Sequence, residues 1–518
     1  MKLNKPLRIA INVFSILLIF AFAQTSLAQQ KILQLGLEDQ PKTLDPRYAT
    51  DAAGMRISQH LLFSSLVQLG YDLQIVPDLA ERWEIKEDKI YRFYLKKGIK
   101  FHDGQPLTAE DVKFTFEHLK DPEIKSPFAG NYKDIETITV KSPLIVEFKL
   151  AQPNASFLIK TILAILPKHI LTGAAKEEFP SRLTGSGPFR FVSQTPNEII
   201  LEKNNSYFKD APKLDQIVFK IVKDNNTRFL KMQKGELDLA INVIQLDKVD
   251  DFKKPPLSDL YTVIENPGIG YNYVSFNMRT PQLQDKRVRQ AIALGIDVDE
   301  LIKYQLEGHA GRALGLLSPV FWFHEPNVQK YSYDPKKAEE LLEAAGLKNS
   351  DAGGSKSRLI LELKTSNNTQ SVEIGRIIQA QLAKIGIKID LKSYEWGTYY
   401  GDVTSGNFQM ATMQWIGFTD PDFFYDIFHS GQIPPAGRNR SLYQNVKVDQ
   451  LTEKGRITLD SKKRKTIYAE VQKIVAEDLP YVSLWHANNI SIVKKSITGY
   501  KQHPTGGYQS FNEIDIQK

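Results

Sequence analysis

Apolar residues in this chain recur at two spacings, every second position in some runs and every third or fourth in others. The first spacing reads as strand and the second as one face of a helix. Tyr271, Tyr273 and Ser275 alternate against Asn272, Val274 and Phe276, and the aromatic and β-branched content of the run predicts a strand. The period then changes. Val288, Ala291, Ile292 and Ile296 form an apolar helix face behind Asp285, which suits the free N–H groups of a first turn. A second helix follows, with Asp297 as cap, Glu300 three residues on, and Leu301, Ile302 and Leu306 on its apolar side.

The same switch recurs on both sides. Upstream, strands are predicted over 31–37, from Tyr91, and over 216–221. Thr108 caps a helix with Val112, Phe116 and Leu119 inward, and a helix from Arg228 stops near Gly235. Downstream, Asp334-Pro335 opens a helix ended by Gly346, with proline at the first helical position and glycine after the last. A polar Gly/Ser loop covers 349–357, and a strand covers 359–364. Ile374, Ile377, Ile378, Leu382 and Ile385 form a helix face stopped by Gly386, before strands over 387–391 and 481–484. Such alternation predicts α/β layers. The strand at 271–276 leaves one body of the protein, and the helices after it open another.

Composition narrows the picture. The 518 residues are 25% charged and 42% hydrophobic, values of a globular chain long enough for several domains. Cysteine is absent, which excludes a disulfide framework, a thiolate nucleophile and a lipid-modified N-terminal cysteine. Residues 1–28 stand apart. Lys2, Lys5 and Arg8 precede an apolar run from Ile9 to Phe22, and Ser26-Leu27-Ala28 supplies small residues for cleavage. This predicts a secretory signal cut after Ala28, since the run is shorter than the roughly 20 residues of a membrane span. Removing its three basic residues lowers the net charge from +7 to +4, too little for a nucleic-acid binder. The one basic run, Lys462-Lys463-Arg464-Lys465, starts a helix pattern (Ile467, Val471, Ile474, Val475) and reads as a solvated face. No Gly-x-Ser-x-Gly elbow, His-Glu-x-x-His pair or Walker loop is present, and no His or Cys partners His102 at metal-ligand spacing.

Several segments together resemble one family. The run Phe276-Asn277 … Asp285-Lys286-Arg287-Val288-Arg289-Gln290-Ala291-Ile292-Ala293 … Ile296-Asp297, the stretch Tyr91 to Val112 with His102-Asp103-Gly104, and Gly185-Ser186-Gly187-Pro188 carry the likeness. They are similar to the bacterial extracellular solute-binding proteins of family five, the oligopeptide, dipeptide and nickel receptors of ABC importers. The resemblance extends over nearly all of 31–518. It implies a two-lobed periplasmic-binding-protein fold of type II with an extra small domain and a hinge between lobes. Lobe I would comprise 29–68, 184–275 and 488–518, the small domain 69–183, and lobe II 276–487. It further implies a monomeric periplasmic receptor, not an enzyme and without cofactor or resident metal. Such a receptor captures a small solute, by family default a peptide, and delivers it to an ABC permease. A sugar, opine, haem or chelated metal is the other solute class. A secreted two-carboxylate hydrolase is a separate reading, and it would need facing carboxylates about 5 Å apart.

The resemblance also points to site residues. Trp396 and Trp415 match tryptophans that pack on ligand in the family, and the loop of Asp39 and Gln40, ending in Leu44-Asp45-Pro46, matches one that offers backbone groups. Peptide-binding members carry an aspartate three residues after the second tryptophan, where this chain has Phe418. The nearest acids are Asp420 and Asp422. Pro421 restricts Asp420 to extended backbone, which favours it as the ligand-facing acid, with Asp422 capping a helix from Phe423. Trp485, after the strand at 481–484, is a further candidate. Arg438, Asn439 and Arg440, after Pro434-Pro435, read as a solvated loop, with receipt of a ligand carboxylate as the other reading.

Overall fold

Two long strands carry the chain from one half of the molecule to the other. Tyr261–Phe276 and Tyr481–Lys494 pair antiparallel, and their register breaks between Pro267 and Tyr271. Pro267 has no N–H to donate, and a Cβ on Gly268 would lie 2.6 Å from the Ala487 carbonyl oxygen, so the close approach there admits only glycine. His486, on the facing strand, hydrogen-bonds the Gly270 carbonyl at 3.1 Å. The computed structural model describes residues 30–172, 178–348 and 357–517. The leader over 1–28 and most of the polar loop at 349–357 lie outside the described residues.

On one side of the break, Ile32–Leu37 runs parallel to Gln216–Ile221, with Glu198–Lys203 and Phe189–Gln194 beyond it. Leu239–Ile241 joins this sheet to the end of Tyr481–Lys494. On the other side, Tyr271–Phe276 pairs with Met410–Trp415, followed by the parallel strands Leu359–Ser366 and Ile387–Tyr394. The alternation in the sequence decides what each face meets. Val274 and Phe276 enter the core under the helices Lys286–Gly295 and Thr369–Ala383, whereas Tyr271 and Tyr273 enter a second core on the opposite face. Both faces are therefore covered, as a doubly wound layer requires.

The caps form as the sequence predicts. Asp285 accepts from the Arg287 N–H at 2.9 Å and Asp297 from the Glu300 N–H at 3.0 Å. Thr108 and Asp111 close a capping box on the helix Ala109–Lys120, which covers a four-stranded antiparallel sheet with its own core. His102 is structural. Its ring accepts from the Gly185 N–H at 3.2 Å and bonds the Gly187 carbonyl at 3.1 Å. It thereby clamps the Gly-Ser-Gly-Pro segment against the chain at Leu61-Leu62, so close that a Cβ on Gly187 would lie 2.3 Å from the Leu61 carbonyl oxygen.

Three local readings are corrected. The strand expected over 481–484 continues to Lys494, because it crosses between the halves. The stretch holding Ala164, Leu166, Leu171, Phe179 and Leu183, grouped above with the small domain, packs into the core of the first half. Arg464, within the basic run read as solvated, is buried, while Lys462, Lys463 and Lys465 are exposed. Helical spacing is the reason: Arg464 lies three, four and seven residues before Ile467, Tyr468 and Val471, on their face.

Candidate functional site

A cleft of about 1110 Å³ opens beside the register break. Arg56, Gln59, Asn242 and Asn489 line it from the first half, Ser156, Ile159 and Lys160 from the small domain, and Gln414, Ile416, Phe418 and Phe423 from the second half. Its volume lies just above the ~300–1,000 Å³ usual for ligand pockets. Its lining mixes apolar walls with amide side chains able to bond a polar solute.

The expected site residues divide. Asp420 and Asp422 line the cleft; Asp39, Gln40, Trp396, Trp415 and Trp485 do not. Strand alternation explains Trp415. Its neighbours Gln414 and Ile416 point to the cleft, so the indole faces the core, where it meets Phe423 edge-on at 5.1 Å and lies under the Arg440 guanidinium at 4.3 Å. Trp485 sits within the crossing strand and packs under the helices of the second half. Trp396 opens the helix Trp396–Ser405, is 56% exposed, and stacks on Tyr400. Asp39 and Gln40 are exposed in the loop after the first strand. The Arg438–Arg440 loop is not solvated throughout: Asn439 is fully buried, and Arg440 donates to the Tyr400 hydroxyl at 2.9 Å.

Neither aspartate takes the role expected of it. Asp420 accepts from Arg464 through both oxygens (Nη2–Oδ1 2.6 Å, Nη1–Oδ2 2.9 Å), from Ser156 Oγ at 2.8 Å and from the Asp422 N–H at 2.8 Å. It therefore has no oxygen left without a partner for a ligand amine. Burial pushes its carboxyl up, but the charge and hydrogen bonds of Arg464 outweigh this and hold it below the usual carboxylate range. Asp422 makes no capping bond to its helix. Its carboxylate turns inward, 3.3 Å from Arg456 Nε and 3.2 Å from the Tyr468 hydroxyl, and burial raises it to about 6 against only partial compensation by Arg456.

These contacts join the walls. Ser156 also accepts from Arg464 Nη2 at 2.8 Å, the Ala155 N–H donates to the Arg456 carbonyl at 2.7 Å, and Leu459 packs on the small-domain core. The small domain is thus latched to the second half across the cleft. Sequence reasoning missed Arg464 and Ser156. Helical phase would have placed the arginine inside, but nothing local marks Ser156, which is 264 residues from Asp420.

Phe418, at the position where an aspartate was expected, is buried and stacks on Phe321 at 5.6 Å and Phe423 at 5.1 Å. The cleft wall is apolar there. Among the described residues, no cluster of three or more His, Cys, Asp or Glu side chains is placed to hold a metal ion.

Comparison with known proteins gives a consistent result. The sequence profile described as "Bacterial extracellular solute-binding proteins, family 5 Middle" matches residues 74–434. The oligopeptide-binding protein AppA of Bacillus subtilis is 31% identical over 492 residues, covering 91% of this chain and 89% of its own length. Its structure in complex with a nonapeptide superposes with a TM-score of 0.76 at 30% identity, covering 94% of this chain and all of that one (100%). The dipeptide-binding protein of Escherichia coli is 29% identical over 519 residues, covering 94% and 95%. HbpA2 of Haemophilus parasuis superposes with a TM-score of 0.84 at 25% identity, covering 94% and 100%. With the matched profile spanning well over half of its length and the two-lobed fold in common, this chain belongs to the bacterial extracellular solute-binding proteins of family 5.

Proposed function

We propose that this protein is the periplasmic receptor of an ABC importer, capturing a peptide between its lobes and presenting the closed form to the permease. The observation that carries this reading is the 1110 Å³ cleft, walled by three structural units and flanked by a two-strand crossing whose pairing is interrupted. The peptide-binding relatives AppA and the dipeptide-binding protein support the choice of solute. Lobe I at 29–68, 184–275 and 488–518, with the stretch holding Ala164, Leu166, Leu171, Phe179 and Leu183 packed on its core, and lobe II at 276–487 then move as bodies about Pro267–Tyr271 and the facing strand. The receptor acts as a monomer, performs no catalysis and needs no cofactor. Binding works by population shift: the solute touches both lobes only in the closed form, and so favours it.

Small-angle scattering tests the motion. The radius of gyration should fall when a casein peptide digest is added to peptide-free protein. An unchanged radius, with peptide shown to be bound, would exclude hinge closure. The secretory reading of residues 1–28 is part of the same proposal. Mass spectrometry of the exported protein should find a chain beginning at Gln29 and carrying no lipid. An intact Met1 on membrane-bound protein would refute it.

A further inference from the structure

A second cavity, of about 120 Å³, lies within the second half of the molecule and shares no lining residue with the interlobe cleft. Residues 313–334 supply one side of it, and they contain no helix or strand. Stretches longer than about 12–15 residues without regular structure are uncommon in compact domains, and those that hold a fixed place there usually serve binding. This one is held in place. Gln472, on the helix Ser461–Asp478, donates to the Phe323 carbonyl at 3.0 Å and accepts from the Glu325 N–H at 3.2 Å, and the Tyr331 hydroxyl donates to the Ala476 carbonyl at 3.2 Å. Gln472, Val475, Ala476 and Leu479 line the cavity from that helix, a spacing that puts them on one face. Phe424 and Phe428 add apolar wall, and Tyr271 and Ser483 reach it from the two crossing strands.

We propose that this cavity is a second binding site, for a small uncharged ring compound that carries a hydroxyl group, the class of phenol. Size sets the first limit. Cavities of about 150 Å³ lined by leucine, isoleucine and phenylalanine accept a benzene ring, so this one holds a single ring and little more. Polarity sets the second. The hydroxyls of Tyr271 and Ser483 bond each other at 2.7 Å, and neither has another hydrogen-bond partner among the described residues. One of the two donates within the pair, so the other keeps an O–H without an acceptor. A ligand hydroxyl can accept from it or donate to its oxygen lone pairs. Charge sets the third. The charged groups at the cavity are committed or outside: Arg312 pairs with Asp299 at 3.0 Å, Glu325 lies 3.6 Å from Lys473, and Lys330 is exposed. His324 gives its Nδ1–H to the Leu317 carbonyl at 2.8 Å. A charged ligand would be desolvated there without a buried partner, and an uncharged one escapes that cost. The site is independent of the interlobe cleft and of what that cleft carries.

The test is calorimetric titration of the full chain with phenol, benzene and benzoate. Phenol should bind saturably at one site, about fivefold tighter than benzene, the net value of one hydrogen bond. Benzoate should bind about tenfold weaker than phenol, or not at all, because its charge finds no partner inside. Ala476→Leu fills the cavity from the helix face and should abolish phenol binding, with a melting temperature at or above that of wild type. Ser483→Ala should weaken phenol about fivefold and leave benzene unchanged, a pattern that a general loss of packing would not give, and this arm decides the site if Ala476→Leu fails to fold. Absence of saturable phenol binding to wild type, or phenol affinity unchanged in a folded Ala476→Leu, would overturn the site. Benzoate binding as tightly as phenol would overturn the uncharged class, and equal affinities for phenol and benzene would overturn the role of the hydroxyl pair.

Discussion

Asp420→Ala is expected to destabilise the protein by roughly 3–5 kcal/mol, the scale of leaving one member of a buried ion pair alone. Arg464 is 5% exposed and its guanidinium gives both terminal nitrogens to Asp420, retaining only the Nε bond to the Gly455 carbonyl and the Nη2 bond to Ser156 Oγ when the carboxylate is gone. Ser156 Oγ and the Asp422 N–H lose their acceptor in the same step. Because Ser156 belongs to the small domain, the variant should also loosen the contact between the cleft walls. The pair is a device for holding geometry more than a net source of stability, since well-packed apolar side chains often replace a buried ion pair at little cost. Asp420→Leu combined with Arg464→Met should therefore recover much of the loss. Denaturant midpoints of wild type, Asp420→Leu, Arg464→Met and the double variant, read as a double-mutant cycle beside Asp420→Ala, measure this. A cost below about 1 kcal/mol for Asp420→Ala, or strict additivity in the cycle, would remove the latch from the account.

Acid should weaken the fold above the range in which an ordinary carboxylate titrates. Burial pushes His60 down to about 3, helped by the charges of His503 and Arg56, and pushes His102 and His486 down to about 4 despite their bonds to backbone carbonyls, all from an ordinary value of 6.5. These histidines are neutral in the folded state, whereas the unfolded chain takes up a proton at each as the pH falls through 6.5. The unfolded state then binds more protons, so stability present above pH 6.5 is lost on acidification. Between pH 6.5 and 4.5 each histidine contributes a loss of roughly 2–3 kcal/mol. Asp422 acts in the opposite sense. Its folded value near 6 lies above the unfolded 3.8, so protonation between those values relieves roughly 2 kcal/mol over the same range. The net loss of several kcal/mol is a large share of the ~5–15 kcal/mol typical of folded proteins. Denaturant midpoints measured at intervals from pH 7 to pH 4.5 should fall steeply, and a flat profile would contradict the neutral state of these rings.

Some of this was legible in the residues alone. The alternation at 271–276 was decisive for a strand, and the structure shows that its period of two sends Val274 and Phe276 to one core and Tyr271 and Tyr273 to the other. Caps at Thr108, Asp285, Asp297 and Asp334 were equally local, since a short acceptor before a helical run satisfies N–H groups within three residues of itself. Membership of the family followed from motifs of the same local kind. The candidate site was less legible, for reasons of phase and distance. Trp415 has the composition of a ligand-packing residue, but its place in the strand turns it to the core and gives the cleft to Ile416. The stiff Asp-Pro-Asp step suggested which acid would project, yet both are engaged, Asp420 by Arg464 and by Ser156 from another domain, and Asp422 by Arg456. Local sequence determines backbone period and capping, because those interactions close within a turn or a strand pair. The commitment of a charge is decided only when distant segments meet, and for that reason the engagement of Asp420 by Arg464 and Ser156 emerges from the tertiary structure alone.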